Sequence, residues 1–255
     1  MKQSIREDQC AAEGSRNMAF SVLFFFLVLL GSTAWNPVLL RVEKLKMEME
    51  SYTLHKGKKA GVKGEVYFRR SGSLLVTRST FPSEKITRTN SLGEYFEYDV
   101  KNNSVIHLMG KEVSSRFSLF HAFFNGSTSD MGLADNGFVL KKTRIEGKLV
   151  VTDWEPSRKE SKISRAELVH EDNLPVFLAF YDLKNKPVQK AFYNDYKLVG
   201  AIRFPHSLTE FEYVAPGDSV ITRKKYRNPV LNEAVEDNWF QFRVPASAKK
   251  IQPGK

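Results

Sequence analysis

The chain has 255 residues, 42% of them hydrophobic, which is enough to bury a core without covalent staples. Its one cysteine, Cys10, excludes an internal disulfide framework. An excess of 39 lysines and arginines over 29 acidic residues leaves a net charge of +10, so an acidic solvating chain is excluded. Such a balance fits either a well-solvated surface or an anionic partner such as a phospholipid head group.

The first element is Ala19 to Leu30 (AFSVLFFFLVLL), an unbroken apolar run followed by Gly31, Ser32, Thr33 and Ala34. It is shorter than the roughly 20 apolar residues of a membrane-spanning helix, and Ser32 and Ala34 occupy the −3 and −1 places of a cut before Trp35. Residues 1–34 are therefore expected to be a cleaved signal peptide and residues 35–255 a single exported domain. The segment carries three basic and three acidic residues, Lys2, Arg6 and Arg16 against Glu7, Asp8 and Glu13, so the mature chain keeps the whole positive excess. Export argues against nucleic acid as a partner and predicts a periplasmic, monomeric product.

From Arg41 to Phe242 the dominant pattern is alternation of apolar and polar residues, the signature of strands with one wet and one buried face. Leu45, Met47 and Met49 alternate with charged residues, and a Lys/Gly-rich turn at Lys56 to Gly61 leads into a second strand from Val62 to Arg70. Further strands are expected at Leu74 to Ser79, Glu84 to Thr89, Glu94 to Asp99 and Val105 to Met109. The pattern breaks at Ser115 to Phe124 (SRFSLFHAFF), where Phe117, Phe120, His121 and Phe124 fall at helical spacing before an Asn125-Gly126 cap. This is a short aromatic helix that either plugs the sheet or forms a lid over a cavity.

Strands resume at Phe138 to Glu146, Lys148 to Trp154, Ile163 to His170, Val176 to Tyr181, Lys190 to Leu198, Ile202 to Val214 with an interruption near Pro205, and Ser219 to Tyr226. No Gly/Ser/Pro linker divides them. One large antiparallel sheet curling around a core or cavity, mainly β with a few short helices, accounts for the pattern.

Catalytic and cofactor signatures are missing. The chain has no GxxxxGK[ST], GxGxxG, HExxH or GxSxG motif, and His55, His107, His121, His170 and His206 are scattered without a second ligand at metal spacing. Asp153 and Glu155 flank Trp154 near a strand end; a solvated pair there is the simpler reading than a pair of glycosidase acids. Neither an enzyme nor a cofactor or metal is expected.

Gly64-Glu65-Val66-Tyr67-Phe68-Arg69-Arg70, then Leu74 to Thr80, then Gly93-Glu94-Tyr95-Phe96-Glu97-Tyr98, resembles the periplasmic lipoprotein carrier LolA and its outer-membrane lipoprotein-sorting relatives. Leu174-Pro175-Val176, Tyr193 to Tyr196, Phe204-Pro205 and Trp239 to Pro245 continue the likeness over most of residues 41 to 251. The resemblance implies an incomplete antiparallel barrel, a half barrel whose concave face is covered by short helices over an apolar cavity for acyl chains. It also implies an inner-membrane release complex and an outer-membrane acceptor as partners. Arg70 falls where the carriers place an arginine that latches the lid, although Ser71 stands where a proline usually follows, and Leu74 falls near the cavity mouth.

Strand parity nominates Met47, Met49, Val66, Phe68, Leu74, Val76, Phe96 and Tyr98 as the cavity lining, with Phe117, Phe120 and Phe124 on the lid. The alternative for these side chains is a plain core. Two functions are expected from this reading. One is a carrier that binds acyl chains of lipoproteins or lipids for transfer towards the outer membrane, testable by Leu74→Glu; the other is a periplasmic sensor or scaffold that uses the same fold to bind a protein.

Overall fold

The computed structural model describes residues 41–110, 114–158, 161–215 and 217–252. The expected signal peptide lies outside them, as does the side chain of Phe117. No helix among the described residues is long and apolar enough to cross a membrane.

Alternation along the chain produces two meanders. The first holds β1 (Lys44–His55), β2 (Lys58–Arg69), β3 (Leu74–Phe81), β4 (Lys85–Thr89), β5 (Glu94–Asp99) and β6 (Ser104–Met109). The second holds β7 (Phe138–Glu146), β8 (Leu149–Pro156), β9 (Ile163–Glu171), β10 (Leu174–Asp182), β11 (Pro187–Val199), β12 (Ile202–Ala215) and β13 (Asp218–Leu231). Between them lies the one described α-helix, α1 (Leu119–Phe124), and a two-residue strand β14 (Lys249–Lys250) follows near the end.

β13 returns to pair antiparallel with β1, with Met49 opposite Tyr226, and this joins both meanders into one 14-stranded sheet. The order is β14-β6-β5-β4-β3-β2-β1-β13-β12-β11-β10-β9-β8-β7. All neighbours are antiparallel except β14, which lies parallel to β6. The sheet stays open, with β7 at one edge and β14 at the other, so it is not closed into a barrel, as the family resemblance implies.

Several strands outrun their sequence-based limits. The first hairpin turns at Lys56 and Gly57, both with positive φ, rather than over Lys56 to Gly61, so the register runs on to His55 opposite Lys58. β12 passes through Pro205 without a break, because Pro205 needs no N–H where it lies opposite Tyr196. At Gly64 β2 and β3 shift register, and a Cβ there would fall 2.0 Å from the Arg78 carbonyl oxygen; only glycine fits.

The sheet is buried on both faces, but by different segments. On one face, α1 packs Phe120, Phe123 and Phe124 on Leu45, Met47, Val66, Phe68, Phe204 and Tyr226. Ring centroids of Phe120–Phe204 and Phe124–Phe204 are each 5.3 Å apart, within the range of favourable aromatic pairs. The same face continues over β8 to β12 as a second cluster with Leu133, Trp154, Leu168 and Leu208, and Leu119, Met131 and Tyr196 touch both clusters.

On the opposite face, residues 235–248 cross β2 to β6 and bury Val235 and Phe240 with Tyr67, Leu74, Val76, Ile86, Tyr98 and Val105. Tyr67 meets Phe240 edge to face at 6.2 Å. β2 is thus enclosed from both sides, and Val66, Tyr67 and Phe68 are buried in succession.

Candidate functional site

A cavity of about 260 Å³ lies on the helix-bearing face between α1, the loop that follows it and β10 to β12. Leu119 and Ala122 come from α1, Met131 and Leu133 from the loop, and Leu178, Phe180, Ala191, Tyr193 and Leu208 from the sheet. Register explains the sheet contribution. Leu178 pairs with Ala191, Ala191 with Glu210 and Tyr193 with Leu208, so alternate residues of three adjacent strands share one face. Ala191, lacking a long side chain, leaves the space. Ser118, Asn136, Gln189 and Glu210 supply the polar part of the wall.

α1 roofs this cavity because its sequence starts and stops it locally. Ser118 caps the N-terminus by accepting a hydrogen bond from the His121 N–H at 3.1 Å, and the chain leaves through Asn125 and Gly126, whose φ is 86°. The expected helix over Ser115 to Phe124 is in fact two pieces: a 3₁₀ turn at Ser115–Phe117, then α1 after the Ser118 cap.

A polar cluster ties α1 to the turn between β2 and β3. Asn125 Nδ2 donates to Ser73 Oγ at 2.6 Å, and Ser73 Oγ lies 2.7 Å from His121 Nδ1. The pattern closes when the serine hydroxyl donates to an unprotonated Nδ1. Burial, with Arg116 nearby, lowers the His121 pKa and favours that neutral form. Ser73 itself is 4% exposed and holds φ at 45°, a backbone conformation uncommon outside glycine and asparagine.

The sequence-nominated residues divide between the two faces. Met47, Met49, Val66 and Phe68 lie on the helix-bearing face beneath Phe120 and Phe124, where they fill a packed core. Leu74, Val76, Phe96 and Tyr98 lie on the opposite face under residues 235–248, with Phe96 and Tyr98 against Phe242. None of the eight lines the cavity. The single-face assignment is corrected by register: Tyr67 is opposite Val76 and Phe68 opposite Leu75, so Val66 and Phe68 share their face with Leu75, not with Leu74 or Val76. Phe120 and Phe124 belong to the helix as expected but point into the core beside the cavity rather than into it.

Arg70, expected from the resemblance to latch the lid through backbone contacts, precedes the 3₁₀ turn at Ser71–Ser73. Its backbone N–H donates to the Glu43 carbonyl at 2.9 Å and its carbonyl accepts from Ser73 N–H at 2.9 Å. The contact between this turn and the helix is made three residues on, by Ser73. Asp153 takes part in a surface ion network with Arg144 at 2.5 Å and Arg165 at 3.4 Å, whereas Glu155 faces Lys141 at 3.8 Å. Each carboxylate is engaged by basic side chains of its own. No group of three potential metal ligands occurs among the described residues.

Sequence reasoning missed the cavity wall itself. Parity was usable only at Leu208, between Ser207 and Thr209; β10 is apolar from Val176 to Phe180 and Phe192 separates Ala191 from Tyr193, so neither of those strands marks one face by alternation.

No protein-family model matches the sequence, and no curated protein matches it. Solved structures do. A DUF1329 family protein from Desulfovibrio piger superposes with a TM-score of 0.57 at 15% identity, covering 78% of this chain and 90% of that one. A protein from Vibrio parahaemolyticus described as an outer membrane lipoprotein-sorting protein domain gives 0.55 at 13% identity, covering 78% and 89%. A LolA superfamily protein from Nitrosomonas europaea gives 0.53 at 8% identity, covering 79% and 92%. Superposition on these structures over nearly four-fifths of its length gives this chain a LolA-like fold.

Proposed function

We propose that this chain is a periplasmic carrier that shelters an acyl chain of a lipoprotein or lipid in the cavity beneath α1 and passes it towards the outer membrane. As a carrier it needs no catalytic group. The observation that carries this reading is the cavity: its walls are Leu119, Met131, Leu133, Leu178 and Leu208 with the Tyr193 ring, and its roof is a six-residue helix. Each CH₂ group moved from water into such a wall contributes about 0.8 kcal/mol. Its volume lies just under the roughly 300 Å³ at which ligand sites begin, so the site takes one end of a chain as it stands and more if α1 lifts. Loading from an inner-membrane release complex and unloading to an outer-membrane acceptor are part of the same proposal, and the structural neighbours described as LolA-like or lipoprotein-sorting support it.

The test is mass spectrometry of lipids extracted from the protein purified from its native envelope, beside an Ala191→Phe variant that fills the cavity. Acyl species should accompany the parent protein and be depleted in the folded variant. Equal lipid content in the two would remove the cavity from the function, and a parent protein free of lipid that captures protein partners instead would favour a scaffold.

A further inference from the structure

Gln189 and Glu210, two of the polar residues of the cavity, come from neighbouring rows of its sheet wall. Register sets Gln189 beside Phe180 and Glu210 beside Ala191, whereas Tyr193 and Leu208 lie one row further along, with Lys224 opposite Leu208 on β13. Glu210 has one carboxylate oxygen 2.7 Å from Lys224 Nζ, with the two side chains 27% and 32% exposed. Among the described residues its other oxygen accepts no hydrogen bond. One N–H of the Asn136 amide donates to the Gly132 carbonyl at 2.7 Å.

No lysine, arginine or histidine lines the cavity among the described residues, and the nearest cation, Lys224, is already held by Glu210. Tyr193 remains a neutral hydroxyl, because burial and the Glu210 charge both raise its pKa. The Glu210 end of the cavity thus offers a carboxylate and neutral polar groups, with no cation lining it among the described residues, to whatever head an acyl chain carries.

Resting on the carrier reading, we infer that Glu210 makes the site selective for acyl chains whose head is uncharged and donates a hydrogen bond, an amide N–H or a hydroxyl, and turns away free fatty acids. A fatty carboxylate at this end would share the space with the Glu210 carboxylate, and two ionised carboxylates cannot occupy one site without cost. An amide or alcohol would instead donate to the free oxygen of Glu210 and replace the water it leaves behind.

Titration calorimetry with decanamide, 1-decanoyl glycerol and decanoate on the full chain tests this. Decanamide or decanoyl glycerol should bind at least about tenfold tighter than decanoate, and whichever binds tighter tells an amide-linked from a glycerol-linked head. Glu210→Gln should bring decanoate to within about threefold of the uncharged probes, and Lys224→Met, which leaves the carboxylate unneutralised, should widen the gap. Decanoate binding as tightly as the others to the parent protein, or a ratio unmoved in both variants, overturns the selectivity while leaving the carrier reading intact. Absence of binding by all three probes overturns both.

Discussion

Ser73 Oγ and His121 Nδ1 lie 2.7 Å apart, joining the turn before β3 to a helix 48 residues later in the chain. The contact uses the neutral imidazole, and burial holds the His121 pKa below its ordinary 6.5. The closed helix therefore resists a proton that the lifted helix accepts. Its stabilisation is fully present above about pH 6.5 and is lost as the pH falls through the lowered value.

Hydrogen exchange at the Ala122 and Asn125 amides, which bond to Ser118 and His121 carbonyls, should report this. After correction for intrinsic rates, protection of α1 should fall between about pH 7.5 and pH 5.5, and Ser73→Ala should lower protection at the higher pH. Protection independent of pH and of Ser73 would show that the cluster does not hold the helix down.

Phe120 is 3% exposed and faces the rings of Phe68, Phe124, Phe204 and Tyr226. Phe120→Ala should cost about 3 to 5 kcal/mol in urea unfolding, since β1, β2, β12 and β13 cannot collapse into the void together. A loss under about 1 kcal/mol would mean that the helix packs on the sheet only loosely.

Leu74→Glu now reads as a stability variant. Leu74 is 2% exposed beneath Phe240 on the face away from the cavity, so a carboxylate there should cost on the order of 3 kcal/mol and loosen residues 235–248. Trypsin should cut at Arg243 faster, while folded molecules keep their acyl binding. A variant that keeps its resistance to trypsin but loses acyl binding would move the site to this face.

Alternation revealed the strands because period 2 is a local property, and the turn residues around Gly93 and Asn125 marked the ends of elements. Which of two apolar faces a strand presents to which cover is a different matter. Phe68 and Val76 both alternate correctly within their own strands, yet the one-residue offset in pairing between β2 and β3 sends them to opposite sides. The strand sequences hold the parity but not the register that links them. Ser73 gave no signal at all, since a serine in a Ser-Gly-Ser turn reads as solvent-facing until the helix is laid over it. Glu210 and Lys224 look like ordinary strand-surface charges until β12 and β13 are paired.

The double enclosure of β2 has a consequence for how the protein comes to be folded. Phe68 waits for a helix some 50 residues downstream and Tyr67 for Phe240, more than 170 residues away, so neither side of this greasy strand can be shielded by its neighbours in sequence. Until both covers are in place, Val66-Tyr67-Phe68 stays open to contact with other chains. Slow, long-range assembly of this kind makes β2 the stretch most exposed to aggregation while the chain folds.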